Sequence, residues 1–260
     1  MTHFDYQQGK TLLLDNAEIY IETLGDPQNY PVILLHGGMG NLTSFDPLVD
    51  YLKEYYLIAI DSRGHGKSTL GEVSLTYQQL QFDVEAVIKT FNIKNCAIIG
   101  HSDGGIVALR LASNNHPNID KIITIGANWR LIDDDPVKAI YQDLSMEYWQ
   151  QNFIQECEYY QNTNPQPDLN RLFQQVKTMW LDQTETGYPN ENIKNIHCPI
   201  LVCRGDNDIL ASLPHSQEIV DAIGSASLLN VPFTSHSVHE EKPQWLNNIF
   251  NDFLKNTHPV

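Results

Sequence analysis

Short apolar runs alternate with longer stretches of helical periodicity along most of the chain. Residues 32–35 and 56–60 are almost wholly apolar, as is typical of strands that are buried on both faces of a sheet. Residues 77–91 instead repeat apolar side chains at helical spacing, and one face of that helix carries Leu80, Val84, Val87, Ile88 and Phe91. This alternation predicts βαβ units around a mainly parallel sheet, so the predicted fold class is α/β.

The same rhythm assigns the remaining elements of the sheet domain. Strands are predicted at residues 11–14, 17–24, 32–35, 56–60, 96–99, 122–125, 200–203 and 227–231. Helices are predicted at residues 44–53, 77–91, 106–112, 217–223 and 243–253.

The rhythm stops between about residues 128 and 196, where polar and aromatic residues dominate. Two helical stretches are predicted there, at residues 137–160 and 169–181, with a turn at 162–167 between them. We therefore predict an α/β core, formed by residues 1–128 and 197–260, that is interrupted by a helical cap. This cap occupies residues 129–196 and is named the cap segment below.

Length and charge narrow the class of protein. The 260 residues, 42% of them hydrophobic, are enough for one large domain with a sizeable core. Sixteen Lys and Arg stand against 32 Asp and Glu, and the formal charge of −16 disfavours nucleic acid and anionic membranes as partners. No apolar run reaches the roughly 20 residues that span a bilayer, and the first ten residues lack the features of a secretory signal. A cytoplasmic protein is predicted, either a monomer or a homodimer, that acts on a small molecule.

The four cysteines form no CxxC pair and no Cys/His cluster with zinc spacing. Cys96, Cys198 and Cys203 lie in or beside apolar runs, so buried reduced thiols are expected. Nothing in the sequence calls for a metal ion or an organic cofactor.

A nucleophile motif follows the strand predicted at residues 96–99. Residues 100–105 read Gly-His-Ser-Asp-Gly-Gly and open the next helix, which is the context in which a G-x-S-x-G match is meaningful. The turn leaves almost no room for a β-carbon two residues before and two after the serine. Ser102 is therefore the candidate nucleophile, and the amide of Asp103 is a candidate oxyanion-hole donor.

The second oxyanion donor is expected in the loop after the strand at residues 32–35. That loop reads His-Gly-Gly-Met-Gly over residues 36–40. Gly38 is the preferred donor and Met39 the second choice, whereas His36 is expected to brace the loop through hydrogen bonds.

A serine nucleophile needs a histidine base, and the base needs a carboxylate to orient it. His236 and His239 follow the last predicted strand, and we favour His236 because it lies closer to the carboxyl edge of the sheet. The carboxylate is expected after the strand at residues 200–203, where Asp208 is preferred to Asp206. The run at residues 133–135 is a third choice, more typical of a helix cap.

In these motifs the chain resembles the α/β-hydrolase superfamily. The order Ser102, Asp208, His236 is similar to the nucleophile, acid and histidine order of that family. Residues 61–68 look like its turn after the fourth strand, and residues 236–243 look like its histidine loop. The resemblance implies a mostly parallel eight-stranded sheet flanked by helices, with the second strand antiparallel. It also implies a cap inserted after the sixth strand and an active site between cap and sheet.

Small bacterial capped hydrolases with Ser-Asp-Gly-Gly at this turn are the most similar subgroup. They include esterases, enol-lactonases and carbon–carbon bond hydrolases, and the fold alone does not choose among them. Because position 102 is Ser, the sequence departs from the haloalkane and epoxide branches, which use an aspartate nucleophile.

The predicted reaction is hydrolysis of a small ester, lactone or thioester through an acyl-Ser102 intermediate. One alternative is a carbon–carbon bond hydrolase of a diketone that uses the same triad, and another is a non-catalytic ligand-binding protein on this scaffold. Met39, Trp129 and Trp149 are candidate substrate contacts, although cap aromatics more commonly serve packing. A cationic substrate that binds Asp103 and the acidic cap segment is a further hypothesis, against the simpler reading that these acids are solvated or bonded locally.

Overall fold

An eight-stranded sheet forms the centre of the computed structural model, which describes residues 3–256. Its strands are β1 (Lys10–Leu14), β2 (Ala17–Leu24), β3 (Pro31–Leu35), β4 (Tyr56–Ile60), β5 (Cys96–His101), β6 (Ile119–Ile125), β7 (Ile200–Gly205) and β8 (Ala226–Val231). They lie in the order β1-β2-β4-β3-β5-β6-β7-β8. Strand β2 pairs antiparallel with β1 and β4. The six strands β3 to β8 are mutually parallel. The predicted fold class, with eight strands and an antiparallel second strand, is confirmed.

The inner parallel strands are buried on both faces because helices cover both sides of the sheet, whereas the edge strand β8 is only partly buried. All six residues of β5 are buried, and so are all six of β7. Leu35 at the end of β3 pairs with Gly100, which in turn pairs with Thr124 of β6. The carboxyl ends of these neighbouring strands therefore meet at one edge, where open α/β sheets place their sites.

Ten α-helices are seen among the described residues. They are α1 (Asp46–Val49), α2 (Tyr77–Thr90), α3 (Asp103–Ser113), α4 (Pro136–Asp143), α5 (Met146–Asn152), α6 (Ile154–Thr163), α7 (Leu169–Trp180), α8 (Leu213–Ala222), α9 (Val238–Glu241) and α10 (Pro243–Lys255). Two 3-10 helices lie at Leu42–Phe45 and Asn190–Asn195.

Two of the helix predictions need correction. The helix expected at residues 44–53 is a 3-10 turn followed by the single turn of α1, since Pro47 and local turn bonds leave little room for a longer helix. The stretch at residues 137–160 is three helices rather than one. Leu144 is extended there, and Ser145 caps α5 by accepting a hydrogen bond from the amide of Tyr148.

Helices α4 to α7 all lie between β6 and β7, in the cap segment. Buried polar contacts attach this segment to the core. Arg110 of α3 donates to the carbonyls of Glu185 and Gly187, at 3.1 and 2.5 Å. Asn164 donates to the carbonyls of Gly66 and Ser68, at 2.9 and 2.8 Å. These bonds tie the loop after α7 to helix α3, and the turn between α6 and α7 to the loop after β4.

The cysteines form no disulfide bond. All four are free, with Cys96 and Cys203 buried and Cys157 and Cys198 partly exposed. Within residues 3–256, no helix is both long and apolar enough to cross a membrane. His258, one of the ten histidines, lies outside the described residues.

The close approach of α3 to β3 predicts the cost of a side chain at Gly104. A β-carbon there would lie 2.0 Å from the carbonyl oxygen of Leu35, a backbone atom that cannot move aside. We expect Gly104→Ala to lower the free energy of unfolding by at least about 2 kcal/mol, as overpacking does, when measured by urea denaturation. Gly224→Ala is the matched control, because its β-carbon would meet nothing within 4 Å. Equal stability of the two variants would contradict the prediction.

Candidate active site

The turn between β5 and α3 holds Ser102 in a backbone conformation that is unusual for a residue with a side chain. Its φ is 49° and its ψ is −116°, which is a strained combination outside glycine. The amide of Ser102 donates to the carbonyl of Ile125 at 2.8 Å, and its carbonyl accepts from Gly105 and Ile106 at 2.9 and 3.0 Å. Hydrogen bonds to both its amide and its carbonyl therefore hold Ser102 in this strained conformation. Ser102 lines a cavity at the N-terminus of α3.

Two amide groups near Ser102 are left without a protein acceptor. The N–H groups of Gly38 and Asp103 have no hydrogen-bond partner among the described residues, whereas the next amide, of Gly104, donates to His36 O at 3.1 Å. Met39, the second choice as donor, has its amide engaged by His65 Nε2 at 3.0 Å. The geometry therefore leaves Gly38 rather than Met39 with a free donor.

His36 braces the loop at residues 36–40, as expected from the sequence. This loop, where the second oxyanion donor is expected, is named the oxyanion loop. Its Nε2 accepts from the amide of Ser62 at 2.9 Å, and its Nδ1 lies 2.7 Å from the carbonyl of Gly37. Burial and the neighbouring His65 lower the pKa of His36 to about 3. A neutral, fully bonded ring of this kind holds the loop and is unsuited to proton transfer.

Asp208 and His236 form a hydrogen-bonded pair between the loops after β7 and β8. His236 Nδ1 lies 2.9 Å from Asp208 Oδ2. The other oxygen, Oδ1, accepts from the amides of Leu210 and Ala211 at 2.8 and 3.0 Å. Burial alone would raise the pKa of Asp208, but the hydrogen bond and charge of His236 and the two amides outweigh it and hold that pKa below its ordinary value. The carboxylate is thereby kept ionised against the imidazole.

Ser102 and His236 line the same cavity. No hydrogen bond joins Ser102 Oγ to His236 Nε2 within the described part of the chain. Such bonds are often long in a free enzyme and shorten when substrate binds. The pairing with Asp208 places the proton of His236 on Nδ1, so Nε2 is left as the acceptor.

Gly126, which the sequence analysis missed, lies directly behind this pair. Its φ is +61°, and a β-carbon would lie 2.9 Å from His236 Nδ1 and 3.0 Å from Asp208 Oδ2. A glycine immediately after the strand predicted at residues 122–125 was the available signal, because that strand also ends at the carboxyl edge.

His239 does not share the position of His236. It is completely buried, and its ring centroid lies 4.5 Å from that of His101 and 5.3 Å from that of Phe45, both in tilted arrangements. Neither ring nitrogen has a partner among the described residues. Burial, and then the charge of His236, lower the pKa of His239 to about 3. His101 in turn lies with Nε2 3.2 Å from the carbonyl of His236, so these two rings pack behind the His236 loop.

The alternative acids are also engaged elsewhere. Asp206 is exposed and accepts from the amide of Thr234, in the loop after β8, at 3.4 Å. Asp135 Oδ1 lies 2.8 Å from His215 Nε2, so this carboxylate is engaged by a different histidine. Asp208 is therefore the carboxylate that the fold brings to His236.

A cavity of about 700 Å³ opens above Ser102, between the α/β core and the cap segment. The cap segment contributes Ile140, Tyr141, Leu144, Tyr148, Trp149, Phe153, Glu156 and Trp180. The core contributes Met39, Ile209 and Leu210 beside Ser102 and His236, and also Glu240. Among the described residues, no lysine or arginine lines this cavity. The described walls are mainly apolar and aromatic, and Glu156 and Glu240 are the acidic side chains among them.

Comparison with known proteins shows the family of the chain. The alpha/beta hydrolase family model matches residues 32–249. The chain belongs to the alpha/beta hydrolase family. It is 22% identical over 262 residues to the uncharacterized hydrolase YugF of Bacillus subtilis (strain 168), covering 93% of this chain and 96% of that protein. It is 24% identical over 256 residues to the human serine hydrolase BPHL, covering 93% and 84%.

Solved structures share the fold of this α/β hydrolase at low sequence identity. The meta-cleavage product hydrolase of Pseudomonas fluorescens IP01 superposes with a TM-score of 0.79 at 20% identity, over 94% of this chain and 97% of that one. At this level of identity the likeness extends to the fold, so the chemistry is argued from the site of the α/β hydrolase itself.

Of the three predicted substrate contacts, Met39 and Trp149 line the cavity and Trp129 does not. The indole of Trp129 is engaged elsewhere, so its role as a substrate contact stays a prediction that the cavity does not support. Its Nε1 donates to Glu218 at 3.1 Å, and the guanidinium of Arg130 lies 5.0 Å from its ring centroid. Trp180, on the last turn of α7, takes a place in the cavity wall that the sequence analysis gave to Trp129.

The side chain of Asp103 turns away from the cavity. It is buried, with an exposed fraction of 4%, and accepts hydrogen bonds from the hydroxyl of Tyr77 and the indole of Trp180. Burial raises the pKa of Asp103 to about 6, against the hydrogen bonds from Trp180 and Tyr77, which lower it. The hypothesis that Asp103 binds a cationic substrate therefore loses its geometric basis, in favour of local bonding.

The raised pKa of Asp103 predicts a pH-dependent cost to the α/β hydrolase. The folded protein holds this proton more tightly than the unfolded chain, so the contribution of Asp103 is most favourable below about pH 4 and is lost as the pH rises through about 6. The free energy of unfolding of wild type, relative to Asp103→Asn, should fall by about 2 kcal/mol between pH 4 and 8.

Urea denaturation at a series of pH values measures this difference. Asp134→Asn, at an exposed aspartate of the cap segment, is the control and should show little pH dependence. A difference for Asp103→Asn that is constant or grows with pH would refute the sign.

Proposed function

We propose that this α/β hydrolase is a serine hydrolase that cleaves carboxylic esters, lactones or thioesters through an acyl-Ser102 intermediate. One observation carries the proposal. The strained Ser102 stands beside the two unpartnered amides of Gly38 and Asp103, in a cavity that also receives the Asp208-bound His236. Nucleophile, oxyanion donors, base and orienting acid are the four components that acyl transfer to serine requires.

In the first half of the reaction, His236 Nε2 takes the proton of Ser102 Oγ as the oxygen attacks the carbonyl carbon. The developing oxyanion accepts hydrogen bonds from the amides of Gly38 and Asp103, aided by the N-terminus of α3. Asp208 holds the imidazole in the correct tautomer and stabilises the imidazolium. The carbon–oxygen or carbon–sulfur bond to the leaving group then breaks, and His236 returns its proton to that group.

In the second half, water replaces the leaving group. His236 Nε2 removes a proton from the water as it attacks the acyl carbon, and the same two amides stabilise the new oxyanion. The bond from the acyl carbon to Ser102 Oγ breaks, and Ser102 recovers its proton from His236. The products are a carboxylic acid and the alcohol or thiol, with no other co-reactant than water.

The cavity wall indicates what kind of acyl group fits. Aromatic rings of the cap segment stack there in pairs, Tyr141 on Trp180 at 5.0 Å and Trp149 on Phe153 at 4.3 Å. Such a wall favours an apolar acyl group through burial of its surface. The first test of the proposed reaction removes the side chains of Ser102 and His236.

We expect Ser102→Ala and His236→Ala each to reduce kcat for p-nitrophenyl esters by at least about 10⁴-fold, because the members of such a unit act together. Turnover is measured across acetyl to octanoyl esters at equal concentrations of folded protein. Ser74→Ala and His197→Ala are the matched controls, since both residues are exposed and lie outside the cavity. Wild-type turnover in Ser102→Ala would rule out the mechanism. Cleavage of diketones with no ester turnover would move the assignment to the carbon–carbon bond hydrolase.

The charge of the cavity generates a second expectation, about substrate charge. Burial and the negative charges of Glu156 and Glu241 raise the pKa of Glu240, against the hydrogen bond from Ser237, which indicates that Glu156 and Glu240 act on the same space. An acyl group that ends in a carboxylate would meet both without a compensating cation.

We expect kcat/KM for a carboxylate-terminated ester to fall about fivefold or more below that of its uncharged analogue at low salt, since solvent screens the repulsion in part. Glu156→Gln combined with Glu240→Gln should narrow the gap, and so should added salt. The matched control is Glu147→Gln combined with Glu158→Gln, at exposed positions of the cap segment outside the cavity. Equal kcat/KM for the charged and uncharged esters would contradict this charge preference.

A further inference from the structure

A buried contact joins the nucleophile turn, helix α2 and the last turn of α7. The carboxylate of Asp103 receives the hydroxyl of Tyr77 at 2.8 Å on Oδ1. The indole Nε1–H of Trp180 is shared between its two oxygens, at 3.0 Å to Oδ1 and 2.9 Å to Oδ2. All three side chains are buried, so these bonds are strong and costly to leave unmade.

The same contact encloses the oxyanion loop. A β-carbon on Gly38 would lie 2.4 Å from Asp103 Oδ2 and 2.8 Å from the indole ring of Trp180. The backbone that offers the second oxyanion donor is therefore packed directly against the Asp103–Trp180 pair. A movement of the Trp180 indole would therefore change the surface against which the backbone of Gly38 packs.

Trp180 also faces the cavity, whereas Asp103 does not. The indole stacks on Tyr141 at 5.0 Å and lies 6.4 Å from the ring of Trp149. Its backbone carbonyl accepts from the hydroxyl of Tyr188 at 2.9 Å. Among the described aromatic residues of the cavity wall, Trp180 is thus the one whose side chain is bonded to the side chain of Asp103, in the nucleophile turn.

We propose that the carboxylate of Asp103 is a positioning residue that fixes Trp180 as the wall of the acyl site and seats the Gly38 loop beneath it. The inference rests on the proposed function, because it concerns the acyl site of that reaction. Asp103 thereby has two separate roles, its amide serving the oxyanion and its carboxylate setting which acyl groups fit.

The geometry separates this role from direct binding of substrate by the carboxylate. Both oxygens are already used by Tyr77 and Trp180, and the exposed fraction of the residue is 4%. A substrate cation would have to displace the indole to reach them. The effect of Asp103 on substrates should therefore depend on acyl length and not on charge.

Nuclear magnetic resonance tests the contact without any use of activity. Trp180 is one of four tryptophans, and its indole N–H resonance is assigned by its loss in Trp180→Phe. The resonance should shift as Asp103 is titrated between pH 5 and 8, and the shift should be absent in Asp103→Asn. An indole resonance that does not respond to pH, or that responds equally in Asp103→Asn, overturns the proposal.

Selectivity tests the consequence. At pH 8, the ratio of kcat/KM for hexanoyl over acetyl p-nitrophenyl ester should fall about tenfold in Asp103→Asn and by a similar factor in Trp180→Phe. Asn keeps one acceptor oxygen but replaces the other by an NH2 donor that faces the indole N–H and the Tyr77 hydroxyl, so it disrupts the contact. The double variant should show no further loss, because both changes act on the same Asp103–Trp180 contact. Phe153→Leu is the matched control, since Phe153 lines the same cavity and contacts neither Asp103 nor the ring of Trp180 among the described residues, and its effect should multiply with that of Asp103→Asn.

The outcomes that contradict the proposal are specific. Effects of Asp103→Asn and Trp180→Phe that multiply would show that the two residues act independently. A loss in Asp103→Asn that is confined to amino-bearing esters, with acyl selectivity intact, would assign the carboxylate to substrate binding instead. If the resonance behaves as expected but no ester is hydrolysed, the contact stands and the error lies in the proposed serine hydrolase activity, so the two failures are distinguishable.

Discussion

The sharp reversal of the chain at Ser102 is the constraint on which the rest of the site depends. Strand β5 must end and α3 must begin within one residue, so α3 passes so close to β3 that only a glycine fits at position 104. This approach aims the N-terminus of α3 at the cavity and leaves the Asp103 amide unpaired. It also brings the oxyanion loop, which extends from β3, against the same turn.

Two buried aspartates of this site have opposite electrostatic environments. Asp208 accepts from two amides and from His236, and its pKa is lowered despite burial. Asp103 accepts only from the neutral Tyr77 and Trp180, and burial raises its pKa to about 6. The difference follows from the number and charge of the donors that each fold position supplies. In the proposed reaction, Asp208 stabilises the imidazolium of His236, whereas Asp103 holds the uncharged indole of Trp180 in the wall of the acyl site.

Much of the sheet could be predicted from sequence because strands buried on both faces are continuous apolar runs, and β3, β4 and β5 lie where those runs place them. Ser102 follows directly from the end of β5. The cap segment could not, because its short helices end at local backbone turns such as Leu144, which leave little trace in a polar sequence. Trp129 and Trp180 are equally aromatic, and only the fold decides that Glu218 engages one while the other faces the cavity. Gly126 was missed because it contributes no side chain of its own. It matters because a β-carbon there would occupy the space that His236 and Asp208 fill.

Labelling with a serine-directed fluorophosphonate tests the central claim, that Ser102 is a nucleophile activated by His236, most directly. Intact-mass and peptide analysis should show one adduct per chain, located on Ser102. The adduct should be absent in Ser102→Ala and form far more slowly in His236→Ala. A folded wild-type protein that takes no label, or a label that persists in Ser102→Ala, would contradict the account.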